Sequence, residues 1–231
     1  MLRRAWLLSL ALAAALAAPA SSADQKLLTN MRGDVAYQRG AAMPKSLAPS
    51  ARVALTDGDS AQTSSDSIGR IVLSDATTIT IGENSNVKMD WFHAGMAPDA
   101  KFTVNSGKVR FNVVHPSNQP SNYTFKTPTG QIAVRGTIGD IGIDSDDEIR
   151  LNIYQTGFAH LPVIVKFRTG QIYTVHAGQT LEGSYVGGEL QVAVHVIDQA
   201  AIDFFGQFGS AAAPAPPMGT QNSISTEPPK K

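Results

Sequence analysis

The side chains able to do chemistry are few, and their spacing selects no known catalytic or metal-binding pattern. Five histidines, His93, His115, His160, His176 and His195, are scattered along the chain. None forms the His-x-His or His-Glu-x-x-His pair that grips zinc. Asp144, Asp146 and Glu148 alternate like the opening of a calcium loop. Ile149 stands where that loop needs glycine for its sharp turn, so the cluster reads as a charged tip between two strands. Asp57 and Asp59 flank Gly58 and read as turn residues in the same way. The stretch from Arg135 to Ile143 is glycine-rich but lacks the Lys-Ser/Thr end of a phosphate loop. There is no Gly-x-Ser-x-Gly elbow. A carboxylate pair for glycoside cleavage is set by space rather than by sequence, and nothing in the sequence selects one. No catalytic residue, metal or cofactor is expected, and the reading is of a non-enzymatic chain.

Three residues stand out for contact rather than chemistry. Trp91 and Phe92 are adjacent, in a stretch continuing His93-Ala94-Gly95-Met96. Adjacent large residues in a strand pattern point to opposite faces, so one ring is expected in the core and one at the surface, where it could anchor a protein or glycan. Arg135 precedes Gly136. Its planar fork suits a carboxylate or backbone carbonyls, inside the fold or on a partner.

The elements that would position these residues are short strands. Apolar and polar residues alternate in runs such as Arg70–Leu73, Thr78–Ile81, Asn86–Asp90, Lys108–Val114, Ile149–Tyr154 and Glu189–Ile197. Turn signals separate them, among them Asp57-Gly58, Asn105-Ser106-Gly107 and Gly187-Gly188. The expected fold is all-β: a sandwich, roll or irregular solenoid of about 12 short strands. After Asp198, a reasonable N-cap, Ala201, Phe204, Phe205 and Phe208 recur at helical spacing and predict a short C-terminal helix.

The chain has 231 residues with 19 basic and 19 acidic side chains and no cysteine. That composition excludes disulfide scaffolds and thiolate metal sites. A formal charge of zero argues against a nucleic-acid binder that works by neutralising phosphates. Residues 1–23 have the layout of a secretory signal peptide: Arg3 and Arg4, an apolar run from Ala5, then small residues to Ala23. No later run is apolar and long enough to span a membrane. Residues 210–231, rich in Pro and Ala at their start, are expected to be disordered. One β-domain over residues 27–208 is expected between these ends.

Several pieces together resemble the FecR domain family of bacterial envelope proteins. Leu55-Thr56-Asp57-Gly58-Asp59 leading to Thr63 resembles the family's opening. The hairpin from Gly69 through Ser74-Asp75-Ala76 to Ser85 resembles its strand, Asp-Gly-Ser, strand pattern, with Ala76 where that pattern prefers glycine. Phe102 to Phe111 and the pair Thr127-Pro128 and Arg135-Gly136-Thr137 complete the match, which runs from about Gly33 to Glu182. In the best-known members the domain is the periplasmic half of a membrane regulator that controls a sigma factor through a cytoplasmic segment. With four residues ahead of the apolar run, no such segment is expected here, and the relay is not carried over. The resemblance implies a periplasmic or secreted binding module that meets a protein or glycan partner of the envelope, in signalling or assembly. The competing readings are a structural or adhesion module that pairs through sheet edges, and a periplasmic glycan-active enzyme.

Overall fold

The computed structural model describes residues 24–116 and 119–208. The proposed signal segment 1–23 and the proposed tail 210–231 lie outside the described residues.

Among the described residues seventeen strands form one continuous open sheet that folds over on itself into two layers. The strands are β1 (Lys26–Arg32), β2 (Val35–Gln38), β3 (Lys45–Leu47), β4 (Arg52–Ala54), β5 (Ser60–Thr63), β6 (Ile68–Leu73), β7 (Thr78–Ile81), β8 (Asn86–His93), β9 (Asp99–Asn112), β10 (Asn122–Lys126), β11 (Gly130–Val134), β12 (Thr137–Ser145), β13 (Glu148–Thr156), β14 (Val163–Phe167), β15 (Ile172–Val175), β16 (Gln179–Val186) and β17 (Glu189–Val196). A helix, α1 (Gln199–Phe204), and a 3-10 turn at Gly206–Phe208 close the described chain. The first layer runs β4-β1-β6-β7-β9-β12-β13-β16-β17, all antiparallel. The second runs β3-β2-β5-β8-β9-β10-β11-β14-β15, with β9 and β10 its parallel pair.

β9 belongs to both layers. Its first half pairs with β8 and β10, its second with β7 and β12. The change of layer falls at Gly107, whose φ is +83°. A Cβ there would lie 2.5 Å from the Ser85 Cα, so glycine is required on both counts. Ser85 holds the crossing: Lys108 N donates to its Oγ at 2.9 Å, and that hydroxyl donates to the Glu83 carbonyl at 2.9 Å. Beyond β9 the chain deals hairpins alternately to the two layers: β10–β11, β12–β13, β14–β15, then β16–β17. Each hairpin extends its layer outward. The fold is all-β as expected, one open sheet in two layers, with more strands than the dozen expected.

The alternating side chains meet between the layers in one core. Leu28, Ile71, Ile79, Phe111, Ile141 and Leu151 of the first layer face Val35, Met89, Phe92, Phe102, Phe125 and Val165 of the second. Several residues of the FecR-like motifs tie turns together. Asp59 Oδ2 accepts from Thr56 N at 2.9 Å and Thr56 Oγ1 at 3.0 Å. Asp75 accepts from Thr77 N at 2.9 Å and from the Tyr123 hydroxyl at 2.5 Å. Thr63 Oγ1 accepts from Ser85 N at 3.0 Å. Among the described residues no helix is long and apolar enough to cross a membrane.

Candidate functional site

Each layer has an outer face, and the two faces differ sharply. On the first layer a polar row runs across the strands in register: Arg52, Thr29, Arg70, Thr80, Arg110, Asp140, Asn152, Thr180, His195. Its centre is roofed by the chain's own C-terminal segment. The Asp198 carboxylate caps α1 by accepting from Ala201 N at 2.8 Å, as its position predicts. Asn152 Nδ2 donates to the Ala201 carbonyl at 3.0 Å. Phe204 lies between the Lys108 ammonium and the Arg150 guanidinium, each 4.2 Å from its ring centroid. Gly142 leaves room for that ring, since a Cβ there would lie 2.5 Å from Phe204 Cε1.

Beneath this roof Arg110 and Asp140 form a buried two-pronged ion pair, with Nε–Oδ1 at 2.7 Å and Nη2–Oδ2 at 2.8 Å. A bulge in β13 inserts Tyr154 as an extra residue. Its hydroxyl donates to Asp140 Oδ2 at 2.6 Å. The Phe208 ring lies 5.0 Å from the Arg110 guanidinium. Burial pushes the Asp140 carboxyl above the usual carboxylate range, against the pull of Arg110 and Tyr154. Burial and the neighbouring Asp140 charge push the Tyr154 phenol up. This constellation was not foreseen from the sequence. Its members sit on three strands and meet through register. An acid inside the Gly-flanked strand Ile138–Ile143 is the one sequence signal that points to it.

The outer face of the second layer is open. A bulge between Met89 and Trp91 makes Asp90 the extra residue of β8. Asp90 and Trp91 therefore share the outer face, and Phe92 returns to the core. Trp91 is half-buried and stacks on His93 with ring centroids 5.2 Å apart. His93 Nδ1 lies 3.4 Å from Asp99. Phe92 is fully buried. This corrects its reading as a contact residue: the bulge turns its ring inward against the core, beyond a partner's reach.

From Trp91 the outer row continues across Lys101, Thr124, Ala133 and Ile164. Beside it runs Lys88, Thr103, Lys126, Gln131 and Lys166. Four strand steps of about 4.8 Å put Lys88 and Lys166 roughly 19 Å apart. Lys88 is paired with Asp90 at 3.1 Å. Lys101, Lys126 and Lys166 make no ion pair among the described residues. At the end of the row a depression of about 310 Å³ is lined by Lys126, Thr127, Pro128, Gln131, Lys166 and Arg168. Thr127-Pro128, noted in the sequence, thus borders the most cationic part of this face. Arg135 is exposed in the turn between β11 and β12 and makes no side-chain hydrogen bond or ion pair among the described residues. Its neighbour Gly136 has φ +68°. Among the described residues no group of three or more His, Asp or Glu could hold a metal ion.

Comparison with known proteins places part of this architecture. Residues 59–156 match the family described as FecR protein. The matched FecR segment runs from β5, just after the Asp57-Gly58 turn, through β13, and so contains β9, both bulges, Trp91 and the Arg110–Asp140 pair. It is shorter at both ends than the stretch expected from the motifs. Two solved structures share 12% sequence identity with the chain, both described as a "putative anti-sigma factor from Parabacteroides distasonis". One aligns with a TM-score of 0.50 over 66% of each chain, the other with 0.47 over 58% of each. The chain therefore spans about two thirds or less of the solved chains it matches, and at this identity the likeness is one of fold. No curated protein sequence matches the chain.

Proposed function

We infer that this chain is a non-catalytic FecR-type module whose open face, centred on Trp91, holds an acidic protein partner in the bacterial envelope, in a signalling or regulatory role. The observation that carries this reading is the register of Lys101, Lys126 and Lys166 beside a half-buried tryptophan. An aromatic anchor beside unpaired cations is suited to a partner of opposite charge, which gains both buried area and electrostatic steering. The FecR match supports regulation over catalysis. The buried Arg110–Asp140 pair supports it too: the acid with raised proton affinity is sealed under Phe208 and bonded to Arg110, out of a substrate's reach. Envelope location rests on the leader-like layout of residues 1–23.

The test is parallel affinity capture from envelope extract with the wild-type protein and a Lys126→Glu/Lys166→Glu variant, followed by mass spectrometry. The expected result is one acidic protein held by the wild type, released by raised salt and lost with the variant. Recovery of glycans only, or of the same proteins on both baits, overturns the reading.

A further inference from the structure

Among the described residues the two layers leave four edge strands: β3 and β15 in the second, β4 and β17 in the first. Folded proteins blunt such edges with brevity, cations or proline, because unpaired backbone groups invite another strand. Three of the four follow this rule. β3 and β4 are three residues each and carry Lys45 and Arg52. β15 has four residues. β17 breaks it. It runs eight residues, Glu-Leu-Gln-Val-Ala-Val-His-Val, without a Lys, Arg or Pro. It pairs with β16 at every position from Glu189 to Val196 with no register shift. Among the described residues it pairs with no other strand.

The ladder fixes which groups of β17 face outward. Tyr185 N donates to Asp147 on the β13 side, so the neighbouring Ser184, Glu182 and Thr180 turn their backbone groups to β17. Their partners Gln191, Ala193 and His195 are therefore used within the sheet. Ile197 N, donating to the Gly178 carbonyl, keeps the same phase. The backbone groups of Leu190, Val192 and Val194 are left at the free edge, where the Val196 carbonyl already meets His195 Nδ1 at 2.9 Å. On the same strand, the core-side face ends in exposed valine: Val194 is 38% and Val196 74% exposed.

We propose that β17 is a self-association edge at which two copies of this chain pair antiparallel about a two-fold axis through Val192. This register puts Leu190 opposite Val194 and Val192 opposite Val192, all with edge-facing backbone groups, so the ladder bonds form without adjustment. It also puts Glu189 of one copy opposite His195 of the other, twice, in the non-hydrogen-bonded pairs where cross-strand side chains lie closest. The half-exposed apolar side chains of both copies meet on the core side. A second copy is the occupant that satisfies this edge because the strand is complementary to itself: acid at one end, imidazole at the other, and β-branched residues between. The first layer then continues across the two-fold axis into a doubled sheet, and each copy's open second-layer face stays free.

The test is light scattering with size exclusion on protein purified from cells expressing the full chain, over a concentration series. The expected result is a reversible dimer. Val192→Pro removes an N–H that makes no bond among the described residues and blocks the edge; it is expected to give monomer. Glu189→Lys sets a cation against His195 and is expected to weaken dimerisation at least tenfold. Glu189→Lys/His195→Glu sets an opposite-charge pair at the same two positions and is expected to restore it. The charge swap keeps the proposal testable if the proline variant fails to fold. A wild-type monomer at every concentration overturns the proposal, whether or not a strand from another protein or from elsewhere in this chain adds to β17. A dimer indifferent to the proline and the charge variants overturns it as well.

Discussion

Replacing Arg110 with methionine probes the roofed face most severely. The substitution keeps much of the side chain's volume but leaves Asp140, fully buried, with only the Tyr154 hydroxyl as a donor from the original trio. Two short bonds, at 2.7 and 2.8 Å, are lost together. Removing one partner of a buried ion pair costs about 3–5 kcal/mol, because the other charge is stranded in a poor solvent. For a domain of this size each kcal/mol moves Tm by about 2–4 °C, so Arg110→Met is expected to melt about 6–20 °C below wild type. The deficit has a definite pH dependence. Without Arg110 the Asp140 carboxyl holds its proton to higher pH in the folded state than in the unfolded one. Folding is then favoured while both forms are protonated and loses ground as pH rises above the unfolded carboxylate range, near pH 4. The variant should therefore recover part of its stability at pH 4–5 relative to pH 8. The double variant Arg110→Met/Asp140→Leu removes both charges and should regain most of the loss. Urea unfolding of the wild type, both singles and the double measures the coupling. A loss below about 1 kcal/mol for Arg110→Met would refute the claim that this pair is sealed from water.

Three further perturbations follow from the same structure. Ala76 sits at φ +69°, a conformation that glycine adopts freely. Ala76→Gly is expected to gain about 0.5–1 kcal/mol by urea unfolding, the relief of left-handed strain exceeding the added freedom of the unfolded chain. Two of the five tyrosines, Tyr123 and Tyr154, have phenols pushed up by burial and by their bonds to Asp75 and Asp140. The unfolded chain ionises first, so stability is complete below about pH 10 and falls above it. Absorbance titration should show these two ionising only as the protein unfolds, and full titration of all five in the folded state would contradict the burial. Finally, Gly142→Val removes the seat of Phe204. Hydrogen exchange should quicken across α1 while β6 and β7 keep their protection, and unchanged exchange in α1 would show that the helix is held by other contacts.

How much of this was legible in the sequence depended on where each residue's partner lay. Alternation identified β6, β7, β8 and β13 because their two faces differ in polarity along a single run. It failed at β1, where Lys26 occupies a core position: its ammonium pairs with Asp57 at 2.8 Å and lies 5.9 Å from the Phe92 ring. It failed at β16, where Gly183 leaves room for Phe167 and so interrupts the apolar alternation. Asn105-Ser106-Gly107 has the composition of a hairpin turn, yet β9 runs through it, because the positive φ of Gly107 is used to change layers without breaking the ladder. The C-terminal helix and its cap were readable, since both are local. The Trp91 region stood out, but the residue that turns outward was decided by the bulge at Asp90. The lysine row lies on separate strands, and no spacing along the chain encodes a register across five of them.

The central claim is that the second layer's outer face is where a partner docks. Site-specific photo-crosslinking in living cells tests it most directly, with the reactive group placed at Ala133 on that face or at Ile202 in the first layer's roof. The account predicts a discrete protein adduct from Ala133, lost when Trp91→Ala is added, and none from Ile202. Adducts from Ile202 alone, or adducts from Ala133 indifferent to Trp91, would contradict it.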